Sequence, residues 1–227
     1  MGLIVPAALS ASKKDLDQKL ALFASLPAVS RVQIDVVDGK FASPKTWPYD
    51  APAEMRALIE RGEMLPALDH ISYEIDLMCL DADKAASGWL ALGASRLTFH
   101  AESAIDLPRL LQSARQCYGE DCVSFGLALN IETDLSLIEP HLSKIAYVQF
   151  MGIANIGKQG QIFDPRVFEK VRTFHARHPE IPLQVDGGVS LRNAERLLSL
   201  GVSDLVVGSA ILRASDPAAA YAAFEML

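Results

Sequence analysis

The sequence has few of the features that mark secreted, membrane-bound or nucleic-acid-binding proteins. Its three cysteines, Cys79, Cys117 and Cys122, lack both CxxC spacing and an even count, so we expect reduced thiols in a cytoplasmic protein. Acidic residues outnumber basic ones by 28 to 21, which argues against a nucleic-acid partner. No uncharged apolar run is long enough to span a bilayer, and no basic stretch precedes an apolar one near the start. The expected partner is therefore a small molecule.

Short apolar runs alternate with longer helix-period segments eight times along the 227 residues. This alternation is typical of βα units around a parallel sheet, and eight units predict closure into a single (β/α)8 barrel domain over residues 1–227. Strands are predicted at 3–9, 31–38, 71–79, 96–101, 123–130, 145–152, 182–187 and 204–209. Helices are predicted at 12–26, 51–62, 83–93, 106–117, 165–178 and 191–200.

Polar side chains recur at the predicted carboxyl ends of strands, where a (β/α) barrel holds its active site. Gln33 and Asp35 share one face of strand 2, because strand side chains alternate with period two. Other strand ends contribute Asp76, with Glu74 and Met78 on its face, His100 with Glu102, and Asp186. Asp38 has the opposite parity and precedes Gly39, which favours a turn-capping role.

Asp35 and Asp186 suggest proton chemistry, because strands 2 and 7 approach the barrel centre from nearly opposite walls. Two such carboxylates can remove a proton from one face of a carbon beside a ketone and return one to the other face, through an enediolate. The alternative for each acid is a capped turn or an ion pair. For His100 the alternative is a hydrogen-bonded structural histidine.

Glycine pairs follow strands 7 and 8. Gly187-Gly188 and Gly208-Ser209 let backbone N–H groups approach an anion, in the loops that usually bind phosphate in this fold. The glycine-containing segment 152–163 is long for a βα connection, so we interpret it as a lid, with Lys158 able to meet a phosphate. Tight turns and a flexible loop are the alternatives.

Several longer stretches resemble the ribulose-phosphate 3-epimerase family, in order along nearly the whole chain. They are VPAALSAS, IDVVDGKF, LGASRLTFHAES, GLALNIET, MGIANIGKQGQIFDPRVFEKV, VDGGV and GVSDLVVGSAI. The resemblance implies a TIM barrel of the ribulose-phosphate-binding type that interconverts pentulose 5-phosphate epimers through an enediolate.

The resemblance also implies roles for individual residues. It assigns Asp35 and Asp186 as the paired acid and base. It places phosphate binding at Gly188, Gly208 and Ser209, with Gly157 and Gly160 contributing from the strand-6 loop. Met78, His100 and Met151 are the other expected pocket residues.

Three positions depart from the family pattern. The family usually holds a divalent metal with a His-Asp-His-Asp set, and the two histidines are Gln33 and Asp76 here. Together with Asp35 and Asp186 these residues offer three carboxylates and an amide oxygen, which suit Mg²⁺ or Mn²⁺ better than Zn²⁺. We therefore expect one such cation or none. Ala7 stands where the family has a substrate-contacting Ser.

These observations predict a phosphosugar epimerase acting on a small phosphorylated sugar. A different isomerase or lyase on the same scaffold is one alternative, favoured by the altered metal positions. A non-catalytic phosphosugar-binding protein is another. Association into homo-oligomers is compatible with the fold, although the sequence shows no self-evident interface.

Overall fold

Eight parallel strands close into a barrel in which β1 pairs with both β2 and β8. The structure is a computed structural model and describes residues 2–119 and 122–227. The strands are β1 (Leu3–Leu9), β2 (Arg31–Val37), β3 (Ser72–Met78), β4 (Arg96–His100), β5 (Ser124–Leu129), β6 (Tyr147–Met151), β7 (Leu183–Asp186) and β8 (Asp204–Val207). The predicted TIM barrel and its strand order are thus confirmed.

Helices surround this barrel and bury their apolar faces on the outer side of the strands. They are α1 (Lys13–Ala24), α2 (Pro52–Glu60), α3 (Ala82–Ala91), α4 (Leu107–Tyr118), α5 (Arg166–Arg177), α6 (Leu191–Ser199), α7 (Ser209–Leu212) and α8 (Pro217–Glu225). The first six match the predicted helices within a few residues. Ser12 caps α1 as a local signal should, since its hydroxyl accepts a hydrogen bond from the Asp15 N–H.

The connection between β5 and β6 breaks the alternation. In place of an α-helix it contains two 3-10 helices, Leu135–Leu137 and Glu139–Lys144. Pro140 near the start of the second lacks the N–H that a continuous helix would require. Two helices after β8, α7 and α8, were not predicted from the sequence.

Asp38 terminates β2 in the manner that its parity indicates. One of its carboxylate oxygens accepts hydrogen bonds from the N–H groups of Lys40 and Phe41, and the other accepts one from Leu80. This carboxylate therefore organises the turn after β2 and ties it to the end of β3. The predicted capping role is confirmed.

The inside of the barrel is unusually polar. TIM barrels are commonly filled by branched aliphatic side chains. Here Gln33, Glu74, Thr98, Gln149 and Gln184 are completely buried. Because a buried polar group without a partner is costly, each of these side chains must be hydrogen-bonded, and the barrel interior is a network.

All three cysteines are free thiols, but they lie in different environments. Cys79 is buried at the end of β3, whereas Cys117 and Cys122 are exposed. Burial, together with the charge of Asp81, raises the pKa of the Cys79 thiol to about 12 despite an opposing hydrogen bond from Tyr49. Among the described residues, no helix is both long and apolar enough to cross a bilayer.

We predict that two thiols react quickly with Ellman's reagent in the native protein and that the third reacts only after unfolding. The thiolate is the reactive species, and Cys79 is both buried and held in its neutral form. Absorbance time courses with and without urea measure the difference. The Cys117→Ser/Cys122→Ser variant should show no fast phase; a fast phase in that variant would contradict the placement of Cys79.

Candidate active site

One cavity at the carboxyl ends of the strands brings together most of the predicted site residues. Asp35 and Asp186 lie at one end of it, and the glycines of three loops line the rest. The predicted residues that line it are Asp35, Met78, Met151, Gly157, Gly160, Asp186, Gly188, Gly208 and Ser209. Lys158 also lines this cavity. Gln33, Asp76 and His100 are fully buried beside it.

Three carboxylates meet in this part of the barrel. Oxygen atoms of Asp35, Asp76 and Asp186 all lie within 4.8 Å of one another. Asp35 and Asp76 are register partners on β2 and β3, whereas Asp186 reaches them from β7, on the far side of β1 and β8. Asp76 is completely buried, and Asp35 and Asp186 are only 6% and 8% exposed.

Burial and mutual repulsion disfavour the charged forms of these acids. Burial, followed by the charge of Asp76, raises the pKa of Asp35 to about 7, although the hydrogen bond from Gln33 acts in the opposite direction. Burial and the charges of Asp35 and Asp76 raise the pKa of Asp186 well above its usual range. These carboxyl groups therefore titrate as a coupled set, and the set retains a proton more readily than isolated acids would.

The amide of Gln33 bridges the two acids that were predicted to act as acid and base. Its Nε2 donates to Asp35 Oδ1 at 2.8 Å and to Asp186 Oδ2 at 3.2 Å. The positive end of the amide dipole therefore lies between the carboxylates and holds them in a fixed relative position.

Asp76 is paired separately. His100 Nε2 lies 3.0 Å from Asp76 Oδ1, at an ion-pair distance but off the line of the ring N–H, and Gln149 Nε2 donates to Asp76 Oδ2 at 3.0 Å. Burial alone would lower the pKa of His100, but the charge of Asp76, helped by Glu102 and Asp35, outweighs it and raises that pKa. Phe41 covers the imidazole, with ring centroids 5.4 Å apart.

The glycine loops close the other end of the cavity. Gly188 has a φ of +68°, and a Cβ there would lie 2.7 Å from the Phe163 backbone, so a side chain would disturb both the turn and its packing. Gln159, from the loop after β6, donates its amide to the Ala7 carbonyl at the end of β1. The loop is thus fastened across the barrel mouth, as a lid requires.

The donor set determines which cation this site suits. Three carboxylate oxygens are hard ligands of the kind that Mg²⁺ and Mn²⁺ prefer, so Asp35, Asp76 and Asp186 fit such an ion. Gln33 does not join them in this arrangement, because its nitrogen faces the carboxylates and its oxygen faces Gln184. An amide nitrogen is not a cation ligand.

Sequence reasoning missed three glutamines that shape the site, namely Gln149, Gln184 and Gln159. The first two have the parity of Met151 and Asp186 two residues later, so a polar residue on an inward-facing position was a readable signal. Gln159 offered none, because its contact with Ala7 joins positions far apart in the chain.

The fold and the site together define a TIM-barrel enzyme architecture, with the chemistry-bearing side chains at the carboxyl mouth of a closed parallel barrel. The chain belongs to the ribulose-phosphate 3-epimerase family. The profile of the Ribulose-phosphate 3 epimerase family matches residues 3–212.

Curated relatives carry the same name. The Escherichia coli (strain K12) protein named ribulose-phosphate 3-epimerase is 30% identical over 218 residues, covering 94% of this chain and 90% of that protein. The Mycobacterium leprae (strain TN) protein of that name is 31% identical over 229 residues, covering 98% and 93%. These relatives are isomerases that act on carbohydrate phosphates.

Solved structures share the fold at low sequence identity. The structure of KGPDC from Streptococcus mutans has a TM-score of 0.70 at 17% identity and covers all of this chain and 96% of that one. The 3-hexulose-6-phosphate synthase of Salmonella typhimurium has a TM-score of 0.70 at 14% identity, with 100% and 97% coverage.

We predict that His100→Ala lowers the free energy of unfolding by about 3 kcal/mol, because it leaves the Asp76 carboxylate buried without its cationic partner. Urea unfolding followed by circular dichroism measures this change. In the Asp76→Asn background the same substitution should cost at least about 1 kcal/mol less. Equal costs in the two backgrounds would show that the pair carries no coupling.

Proposed function

We propose that this protein is a phosphosugar epimerase of the ribulose-phosphate 3-epimerase type. The observation that carries the proposal is the position of Asp35 and Asp186 at one end of a cavity whose other end is lined by glycine loops. Membership of a family whose relatives are named for this activity supports it. A reducing cytoplasm, as the sequence suggests, suits the three free thiols.

Asp35 and Asp186 transfer the protons in this proposal. One carboxylate removes the proton from the carbon beside the ketone, and the bonding electrons move to the carbonyl oxygen to give an enediolate. The other, as a carboxylic acid, then returns a proton to the opposite face of that carbon. The pair gains one proton and loses one, so the reaction inverts a single centre and leaves the mass of the sugar unchanged.

The glycine loops hold the phosphate. Gly188, Gly208 and Ser209 present backbone N–H groups to the cavity, and Gly157 and Gly160 contribute from the lid. A fold neighbour supports this class of ligand, since a Streptococcus mutans KGPDC was solved in complex with ribose 5-phosphate, with a TM-score of 0.70 at 17% identity. Met78 and Met151 line the cavity beside the acids and give the carbon chain an apolar surface.

Asp35, Asp76 and Asp186 are the residues that would hold a divalent cation, and we propose Mg²⁺ or Mn²⁺ in preference to Zn²⁺. When bound, such an ion supplies positive charge that stabilises a developing enediolate. The chain's own contribution is to fix the carboxylates, to exclude water beneath the lid and to grip the phosphate.

A second candidate function is a different isomerase or lyase acting on another phosphosugar. Ala7 favours it, because this residue lines the cavity where the family has a substrate-contacting Ser. A lyase would yield fragments, whereas an epimerase conserves mass. Self-association stays a prediction.

We predict that Asp35→Asn and Asp186→Asn each reduce turnover of ribulose 5-phosphate by about 100-fold or more, because each removes one proton-transfer group. NMR in deuterium oxide measures deuterium entering C3 and the appearance of xylulose 5-phosphate. The affinity for inorganic phosphate should stay unchanged, since the glycine loops are untouched.

Asp17→Asn, which alters an exposed acid on α1, is the matched control and should keep full activity. Full activity in both active-site variants would refute the two-carboxylate mechanism. Stabilisation of the wild-type protein by the sugar without any deuterium exchange would favour a binding protein, and fragments would favour a lyase.

We predict that the metal-stripped protein responds to Mg²⁺ or Mn²⁺ more strongly than to Zn²⁺, because its ligands are oxygens. Deuterium exchange with each added ion measures the response, and electron paramagnetic resonance of Mn²⁺ measures binding directly. Asp76→Asn should weaken Mn²⁺ binding, whereas Asp17→Asn should not. A stronger response to Zn²⁺ would contradict the oxygen-ligand assignment.

A further inference from the structure

Three buried amides connect the floor of the barrel to the carboxylates at its mouth. Gln33, Gln149 and Gln184 lie on β2, β6 and β7 and are completely buried. The nitrogen and oxygen of an amide look alike in shape, so their orientation is determined by the hydrogen-bonding groups around them. The partners of each amide therefore show which way it must point.

Glu74 fixes the orientation of Gln184. The Glu74 carboxylate is ion-paired with Arg96 at 2.9 Å, and its other oxygen lies 2.6 Å from Gln184 Nε2. The guanidinium of Arg96 is itself held over the Tyr147 ring, 3.9 Å from the centroid. A carboxylate accepts hydrogen bonds and cannot face an amide oxygen, so the nitrogen of Gln184 must point toward Glu74.

Gln184 in turn fixes the other two amides. Its Nε2 lies 3.0 Å from Gln33 Oε1 and 2.7 Å from Gln149 Oε1. With their oxygens directed at Gln184, both amides direct their nitrogens at the site. Gln33 then donates to Asp35 and Asp186, and Gln149 donates to Asp76.

We propose that Glu74 and Gln184 are positioning residues that set the polarity of Gln33, so that its N–H₂ group rather than its oxygen tethers Asp35 to Asp186. Neither residue touches the cavity. The tether lets the two carboxylates remain close while a hydrogen-bond donor, in place of a bound cation, offsets part of their repulsion.

The opposite polarity would give a different site. An oxygen of Gln33 facing Asp35 and Asp186 would complete a set of four oxygen ligands, and the carboxylates would then need a cation to stay together. The charge of one residue on the barrel floor, Glu74, thus decides how strongly the mouth binds a cation. The inference adds a control of cation affinity to the proposed function, and its measurements need no sugar.

Exchanging the two residues reverses the relay while conserving charge and shape. In the Glu74→Gln/Gln184→Glu variant the carboxylate moves to position 184, so Gln33 and Gln149 must turn their nitrogens toward it and their oxygens toward the site. We expect this variant to bind Mn²⁺ about tenfold more tightly than the wild type, as measured by electron paramagnetic resonance of free Mn²⁺. A residue with a merely structural role would leave or weaken this affinity.

Gln112→Glu changes an exposed glutamine on α4 and should leave Mn²⁺ binding as it is in the wild type. A folded double variant with unchanged or weaker Mn²⁺ binding would overturn the proposal. If that variant does not fold, neutron diffraction from wild-type crystals soaked in deuterium oxide decides the matter. Amide deuterons of Gln33 directed at Asp35 and Asp186 support the relay, and deuterons directed at Gln184 refute it. Either result leaves the epimerase assignment to its own test.

Discussion

The repulsion between three buried carboxylates is the constraint on which the rest of this structure depends. Asp35, Asp76 and Asp186 have oxygens within 4.8 Å of one another and almost no contact with solvent. Their partners come from several walls of the barrel, with Gln33 on β2, His100 on β4 and Gln149 on β6. Closure of the barrel is therefore what makes the site tolerable, since no single strand or hairpin carries both the acids and the groups that stabilise them.

The polar interior follows from this constraint. An aliphatic layer beneath the carboxylates would leave the Gln33 amide without a partner for its oxygen and free to turn. Instead, hydrogen bonds continue downward through Gln184 to Glu74 and Arg96. Such a network is stabilising only when each member has a partner of the right kind, so it also makes the site rigid and specific. Rigidity beneath the site suits chemistry that needs two carboxylates held at fixed positions.

The departures from the family pattern compensate one another. The resemblance implies imidazoles at the positions of Gln33 and Asp76, so this chain exchanges two nitrogen ligands for an amide and a further negative charge. His100 on β4 lies beside that added charge, and Gln149 donates to its other oxygen. The proton-transfer pair proposed here and the glycine loops are retained, while their electrostatic surroundings are rebuilt. Ala7 and the Gln159 contact above it change the lid side of the cavity in the same way.

Local patterns in the sequence were enough for the barrel. Period-two strands, helix caps such as Ser12 and turn acids such as Asp38 depend on neighbours in the chain, and they predicted eight strands and six helices. Parity also placed Asp35 and Asp186 on inward-facing positions near the mouth. The 3-10 connection before β6 and the helices after β8 were missed, because short apolar segments carry little periodic signal.

The sequence by itself determined the fold and the presence of acids and glycines at one mouth. Only the tertiary structure decided what those acids are bonded to. The direction of the Gln33 amide depends on Gln184 and Glu74, which lie 151 and 41 residues away and meet it only inside the closed barrel. Hydrogen-bond polarity is a property of groups in contact, and contacts between distant strands do not exist until the barrel closes.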